Sequence, residues 1–97
     1  MKKCYPIVHT INKSCEGYIH CDIIAVYSNK EQAFHAIDNI EKEIRSGKST
    51  YFPKYVPTIE QINPFGSYIK GLTCQWLSEA QETMFSHFYV REIDFVE

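Results

Sequence analysis

The sequence predicts an α+β domain: an antiparallel sheet of three or four strands with one long helix packed on one face. Within a strand predicted over residues 22–27, residues 23–27 form a short run of aliphatic, β-branched and aromatic side chains, which is typical of a packed strand. A capping sequence and an amphipathic segment over residues 30–46 follow at once. Residues 85–96 alternate apolar and polar side chains, as a closing strand does.

The strand over residues 22–27 has apolar side chains on both of its sides. One side begins polar at Asp22 and becomes apolar at Ile24 and Val26. The other side is apolar or amphipathic throughout and consists of Ile19, Cys21, Ile23, Ala25 and Tyr27. Because a strand covered on two sides usually has neighbours on both flanks, this pattern favours a central antiparallel strand over an edge strand.

The helix over residues 30–46 carries signals at both of its ends. Ser28 is predicted to be the N-cap, with Glu31 three residues later completing a capping box. Gly47 follows the last turn, where a left-handed residue commonly ends a helix. Between these ends, an apolar stripe predicts the face that meets the sheet: Ala33, Ile37, Ile40 and Ile44.

Length and composition indicate one domain over residues 1–97 without a membrane segment. The chain has 97 residues, of which 44% are hydrophobic, and a net charge of −2. This charge argues against a general nucleic-acid-binding protein but is compatible with a local basic patch. Met1–Lys3 precedes no apolar signal-peptide core, so we expect a cytoplasmic protein of a native or host bacterial cell. The four cysteines are then expected to be free thiols.

A first strand is predicted over residues 3–11, where apolar side chains alternate. Pro6 lacks an amide donor, which indicates an edge strand or a bulge. Turn-forming residues at 12–17 predict a hairpin between this strand and the next one.

The second half of the chain has a different character. Three prolines within residues 48–71 exclude a long helix, so we expect an irregular segment rich in aromatic residues. Residues 73–83 are predicted as a second short helix because apolar residues recur every four positions, with a hairpin strand around Trp76 as the alternative. The last strand changes its alternation near Arg91–Glu92, which indicates a bulge or a strand covered on both faces.

Residues 24–37 resemble a motif of small bacterial and phage domains of unknown function. The similarity lies in the run Ile24–Ala33 with Ala36 and Ile37 after it, and in a closing strand of the type at residues 89–95. It omits the Pro-rich middle and brings no catalytic residue with it. The resemblance implies a sheet with a helix on one face, and a setting in phage or mobile DNA where regulators, immunity proteins and counter-defence inhibitors occur.

A metal site is one chemical possibility of the first hairpin, where His9, Cys15, His20 and Cys21 carry ligand atoms. The sequence has no Cys-x-x-Cys or His-x-x-x-His pair, and His20 and Cys21 point to opposite faces of one strand. The pattern favours Cys21 in the core, two partly exposed histidines, and no metal or other cofactor. Whether the four residues bind a metal stays open at this point.

No catalytic residue is predicted. Cys74 and His87 are a thiol and an imidazole outside the first hairpin, but no nucleophile turn or oxyanion loop surrounds them, so Cys74 is expected in the core. Glu92, Asp94 and Glu97 alternate on one strand and have the chemistry for acid–base work or cation binding. Solvated strand charges are more common, and contact with a basic partner is the functional alternative.

Charge is distributed unevenly along the chain. Residues 45–70 carry four basic and one acidic side chain, whereas residues 71–97 have a net charge of −4. Tyrosines and lysines in the basic part suit protein–protein contacts and stacking on bases, although the aromatic residues can also complete the core. The predicted partner-binding residues are Tyr51, Lys54, Tyr55, Tyr68, Lys70, Glu92 and Asp94.

These observations predict a non-enzymatic protein-binding module, such as a small inhibitor or regulator of a larger bacterial protein or ribonucleoprotein. A phage counter-defence or immunity-type protein is one version of this hypothesis. The alternative is an RNA-binding module that contacts nucleic acid directly through residues 48–70. A small metal- or thiol-dependent enzyme is a third hypothesis, and the sequence leaves the oligomeric state open.

Overall fold

An antiparallel sheet of six strands with one helix makes up the computed structural model, which describes residues 2–13 and 17–95. The predicted α+β class is confirmed, but the sheet is larger than the three or four strands predicted. In chain order the elements are β1 (Lys2–Lys13), β2 (Tyr18–Tyr27), α1 (Lys30–Arg45), β3 (Thr58–Ile62), β4 (Tyr68–Leu77), β5 (Thr83–Arg91) and β6 (Ile93–Phe95).

The strands lie in the order β2-β1-β5-β4-β3, and β6 also pairs with β1. The pairs Ile7–Val90 and Cys4–Ile93 have the same register, so β6 continues β5 alongside β1. Glu92 interrupts the two strands, and its amide donates to the Ser67 carbonyl over 2.8 Å. Because the register does not change across Glu92, the bulge predicted near Arg91–Glu92 is wrong; Ile93 and Phe95 lie on the other side of the sheet from Phe88 and Val90. Pro6 lies in a central strand, so the predicted edge position is wrong, whereas the pairing of β1 with β2 does shift register next to Pro6, between Ile7 and Val8.

The predicted hairpin of the first two strands is confirmed, but the predicted second helix is wrong. The segment forms β4, a turn at residues 78–82 and the start of β5. Leu72, Cys74 and Trp76 alternate onto one side of β4, with Leu72 and Cys74 fully buried. A spacing of four residues fits one side of a strand as well as one face of a helix, because four is a multiple of the strand period.

The core lies between α1 and one face of the sheet. Ala33, Ile37 and Ile44 of α1 are completely buried, as the apolar stripe predicts, while Ile40 is partly buried. The sheet contributes its own fully buried side chains, which are Ile7, Leu72, Cys74, Phe88 and Val90. From the irregular segment before β3, Phe52 is 5% exposed and closes the core against Trp76. Residues 48–71 are therefore only partly irregular, since β3 and the start of β4 lie within them.

The N-cap of α1 is Asn29, and the prediction of Ser28 is wrong by one residue. The Asn29 side chain accepts a hydrogen bond from the Gln32 amide at 3.1 Å. At the other end, Gly47 has φ +77°, as the predicted left-handed terminator requires.

Asn29→Ala is expected to lower the free energy of unfolding by about 1 kcal/mol, because it leaves the Gln32 amide without its capping acceptor. Ser28→Ala is the matched control, since Ser28 lies one residue outside the cap and is exposed. Urea unfolding followed by circular dichroism measures both. Equal destabilisation by the two substitutions would contradict the assignment of Asn29 as the cap.

β2 is an edge strand, so the predicted central position of residues 22–27 is wrong. Ala25 and Tyr27 lie against the core as expected, but Ile23 and Val26 are 59% and 61% exposed. Apolar side chains on the second side of β2 therefore face away from the protein's own core.

Candidate functional site

We call the sheet face opposite α1 the open face, because no helix of the described residues covers it. Residues that are paired across neighbouring strands lie on the same side of the sheet. Val26 and Ile23, which pair with Pro6 and Val8, therefore lie on the open face with them. On β1 and β3 the open face comprises the even-numbered positions, and on β5 and β6 the odd-numbered positions. On β4 it comprises Tyr68 and the odd-numbered positions from Gly71 onward. On β2 it comprises Cys21, Ile23 and Val26.

The open face carries few charges and several exposed apolar side chains. Besides Ile23 and Val26, it presents Leu77, which is 53% exposed, and Phe95, which is 50% exposed. The charged side chains that alternate onto it from the described strands are Lys2, Glu60 and Arg91. A face with this balance resembles the centre of a protein–protein interface, where charged residues are depleted and aromatic residues enriched.

A cavity of about 240 Å³ opens on this face. Residues from β1, β3, β4 and β5, together with Phe65 of the connection before β4, form its lining: Thr10, Ile62, Phe65, Tyr68, Thr73, His87 and Tyr89. The close approach of β4 and β5 at Gly71, where a side chain is absent, lies next to Ile62 and Tyr89. The cavity thus depends on side chains that are distant in sequence and come together only in the sheet.

The aromatic wall of the cavity is held by ring contacts. Tyr68 lies edge-on to Phe65 and to Tyr89, with ring centroids 5.0 and 4.6 Å apart. The guanidinium of Arg91 lies 5.5 Å from the centre of the Tyr68 ring and its Nε donates to the Ser67 hydroxyl. These contacts fix the orientation of Tyr68, while Phe65 at the rim stays 63% exposed.

The polar part of the cavity consists of His87 and two threonines. His87 Nε2 lies 3.1 Å from Asn12 Oδ1, an acceptor, so this nitrogen carries the proton. His87 Nδ1 then accepts from the Thr73 hydroxyl at 3.0 Å. Burial lowers the pKa of His87, which favours this neutral form. Thr10 is 2% exposed, and its hydroxyl has no hydrogen-bond partner among the described residues.

Two of the predicted partner-binding residues, Tyr51 and Tyr55, are tied to the helix side of the molecule. The Tyr51 ring contacts His9 and Phe88 edge-on, at centroid distances of 5.1 and 4.8 Å. Burial, with the Glu43 and Asp22 carboxylates, raises the pKa of Tyr51. The Tyr55 hydroxyl donates to the Leu77 carbonyl at 3.1 Å.

The other predicted residues are distributed over different parts of the surface. Lys54 is exposed, whereas Lys70 forms an ion pair with Asp38 of α1 at 3.0 Å. Asp94 and Glu92 lie 2.9 and 3.7 Å from the ammonium group of Lys3. Tyr68 is the one predicted residue that lines the cavity, so the seven residues do not form a single surface.

The first hairpin brings His9 and His20 together but not Cys21. The two imidazole rings are 5.5 Å apart on the helix side, whereas Cys21 pairs with Thr10 on the open face. Cys21 is exposed and His9 is 7% exposed, so the prediction of a buried Cys21 beside two partly exposed histidines is wrong for both residues. Burial, reinforced by His20, lowers the pKa of His9. Cys15 lies outside the described residues.

Within residues 2–13 and 17–95, no three His, Cys, Asp or Glu side chains are placed to hold a metal ion. Cys74 and His87 lie on opposite sides of the sheet, because Cys74 pairs with Ser86 and His87 pairs with Thr73. Burial raises the pKa of the Cys74 thiol to about 11, which favours the unreactive protonated form. Glu92 and Asp94 both pair with Lys3, and Glu97 lies outside the described residues.

Sequence reasoning missed Thr10, Ile62, Phe65, Thr73 and Tyr89 as site residues, and used His87 only as a possible partner of Cys74. One sequence signal for the open face was available, namely the apolar second side of the strand at 22–27. It indicates an exposed apolar surface only when that strand is known to lie at the edge of the sheet. No family model, curated protein or solved structure matches the chain. The resemblance of residues 24–37 to small phage domains therefore stays a prediction. Among the described residues, no helix has the length and apolar character needed to cross a membrane.

Proposed function

We propose that the protein is a non-enzymatic binding module that docks onto a larger protein through the open face. The observation that supports this most directly is the exposure of Ile23 and Val26, at 59% and 61%, on an edge strand of a face with few charges. Isolated apolar side chains are common on surfaces, but several exposed ones on one face beside an aromatic cluster are typical of an interaction site. An inhibitor or regulator of a larger bacterial protein or ribonucleoprotein fits such a surface.

The charge balance of the open face favours a protein partner over RNA. Nucleic-acid affinity depends on lysine and arginine side chains that neutralise phosphates. On this face Arg91 lies over the Tyr68 ring, and Lys70 of the predicted basic segment belongs to the helix side, where it pairs with Asp38. Lys54 is exposed but lies in the connection between α1 and β3, away from the cavity lining. The aromatic rings would therefore contact protein side chains.

The double variant Ile23→Glu with Val26→Glu is expected to abolish capture of the partner from a host lysate. Two carboxylates would have to be buried without counter-charges in the interface, which opposes association. The matched control is Gln32→Glu with Asn39→Glu, which adds the same charge at exposed positions of α1. Both variants should melt as the parent protein does, because all four side chains are exposed.

Three further comparisons separate the alternatives. Retention of the partner by the Ile23/Val26 variant would reject the open face as the docking surface. Loss of capture after nuclease treatment would favour RNA. Loss of capture only in a variant with Tyr51, Lys54 and Tyr55 changed to alanine would move the interface to the connection between α1 and β3.

A further inference from the structure

The outer edge of β2 is unpaired over a long stretch. β2 has ten residues and lies at one end of the strand order, so no described strand pairs with its outer edge. The free backbone groups of an edge strand can pair with another chain, and proteins commonly prevent this with lysine, proline, bulges or a short strand. The opposite edge strand, β3, has five residues and lies between Pro57 and Pro64. Because β2 contains neither lysine nor proline, it is the less protected of the two edges.

Residues 19–23 are the accessible part of this edge. All five side chains are exposed, with Ile19 at 55% and Ile23 at 59%. The pairing of β2 with β1 keeps one register from His20 to Ile23 and shifts on either side of that stretch. Since a bulge bends its strand, a second strand can follow the outer edge only along this short regular part.

The side chains of residues 19–23 are complementary to a second, antiparallel copy of the same stretch. The order along the chain is isoleucine, histidine, cysteine, aspartate and isoleucine. An antiparallel pair centred on Cys21 sets Ile19 of each copy opposite Ile23 of the other, and His20 opposite Asp22. The imidazole can donate a hydrogen bond to the carboxylate when it is neutral and form an ion pair with it when it is protonated.

The two sides of the sheet and the charges select this centre. His20 and Asp22 lie on the helix side of β2, whereas Cys21 and Ile23 lie on the open face. Because side chains alternate along a strand and paired residues share a side, the two-fold axis has to pass through a residue and not between two residues. A centre at Asp22 sets two carboxylates opposite each other, which is unfavourable, and a centre at His20 sets two imidazoles opposite each other. The centre at Cys21 joins each imidazole to a carboxylate.

We propose that the outer edge of β2 pairs with the same edge of a second copy of the chain, in an antiparallel two-fold dimer centred on Cys21. Such an interface uses the same surface of both copies, as two-fold dimers do. The two sheets would form one continuous sheet with both open faces on the same side. This inference is independent of the proposed function, because pairing uses the edge of β2 and docking uses the open face.

Sedimentation equilibrium of the full chain tests the dimer. The mass should rise with concentration from the 11.4 kDa of one chain towards twice that value. His20→Asp should weaken the dimer about tenfold, because the new carboxylate faces Asp22 of the second copy. The double substitution His20→Asp with Asp22→His exchanges the two groups and should restore the parent affinity. The mass of a single chain at every concentration, an unweakened His20→Asp dimer, or a double variant as weak as His20→Asp would overturn the proposal.

A disulfide crosslink tests the centre of the pair. In a chain with Cys4 and Cys15 changed to serine, Cys21 is exposed and Cys74 is buried. Directly opposite residues have Cβ atoms about 4.5–5.5 Å apart, so the oxidant diamide should join the two Cys21 thiols into a dimer on a non-reducing gel. The matched control in the same background is Cys21→Ser with Val26→Cys, an exposed position of the same strand. In this register the two copies of position 26 would be about 33 Å apart and should form no link. No crosslink at Cys21, or equal crosslinking by the two proteins, would overturn the pairing.

Discussion

Phe88→Ala is expected to lower the free energy of unfolding by about 3–5 kcal/mol, the range for removal of a large buried aromatic side chain. Phe88 is completely buried in β5, on the side that meets α1. Its ring stacks on His9 with centroids 4.3 Å apart and an interplanar angle of 3°, and Tyr51 meets it edge-on at 4.8 Å. Truncation would remove apolar contacts from three parts of the chain and leave a cavity between them.

Denaturant unfolding measures this loss, with Phe65→Ala as the control. Phe65 is also an aromatic residue in a ring contact, but it is 63% exposed, so its removal should cost less than about 1 kcal/mol. The two variants separate core packing from the open face. A Phe88→Ala protein that unfolds at the same denaturant concentration as Phe65→Ala would contradict the packing described for β5.

Gly71→Ala is expected to destabilise the protein by about 1–3 kcal/mol or more, because the added methyl group has no space. Its Cβ would lie 2.9 Å from the Phe88 carbonyl oxygen, 2.9 Å from Tyr89 Cβ and 3.0 Å from Ile62 Cδ1. Two of these atoms belong to or adjoin the backbone of β5, which cannot move without disturbing its pairing with β4. The nearby cavity should change too, since Tyr89 and Ile62 line it.

Thermal unfolding tests this expectation. Gly17→Ala is the matched control, because a Cβ there would meet no described atom within 4 Å. That substitution should be neutral or slightly stabilising through the unfolded chain. A Gly71→Ala protein with an unchanged melting temperature would show that β4 and β5 do not approach as closely as described.

The helix was predictable because its signals are local. Periodicity, the capping region and Gly47 all lie within one segment, and α1 ends within one residue of the predicted boundary. The choice between Ser28 and Asn29 as the cap was not predictable to the same degree. Both are good capping residues, and only the backbone conformation of Asn29, with φ −128° and ψ 128°, decides between them.

The sheet was harder to predict because its organisation depends on distant partners. Residues 72–76 satisfy both the helix and the strand period, so their pairing with β5 decides the outcome. The run at 22–27 has the composition of a strand with two covered sides, yet its second side is exposed. An apolar composition indicates that side chains are favoured in a buried environment. It does not indicate whether the protein's own core or another molecule buries them.

The candidate site was largely beyond sequence reasoning. Thr10, Ile62, Thr73 and Tyr89 carry no motif and come together through four strands. The sequence-based prediction instead followed the density of tyrosine and lysine in residues 48–70, which the fold divides between the two sides of the sheet. Tyr68 is the residue on which the two approaches agree.

The pairing of β1 with β5 has a consequence for synthesis on the ribosome. Asn12 and His87, which meet across these strands, are 75 residues apart in the chain. During translation, β1, β2 and α1 are synthesised before β5, so Ile7 and the apolar stripe of α1 have no completed core to enter at first. Closing such long loops slows folding relative to helical proteins of similar size. The nascent chain would therefore expose apolar side chains until β5 has been synthesised. Chaperone binding should be strongest before that point.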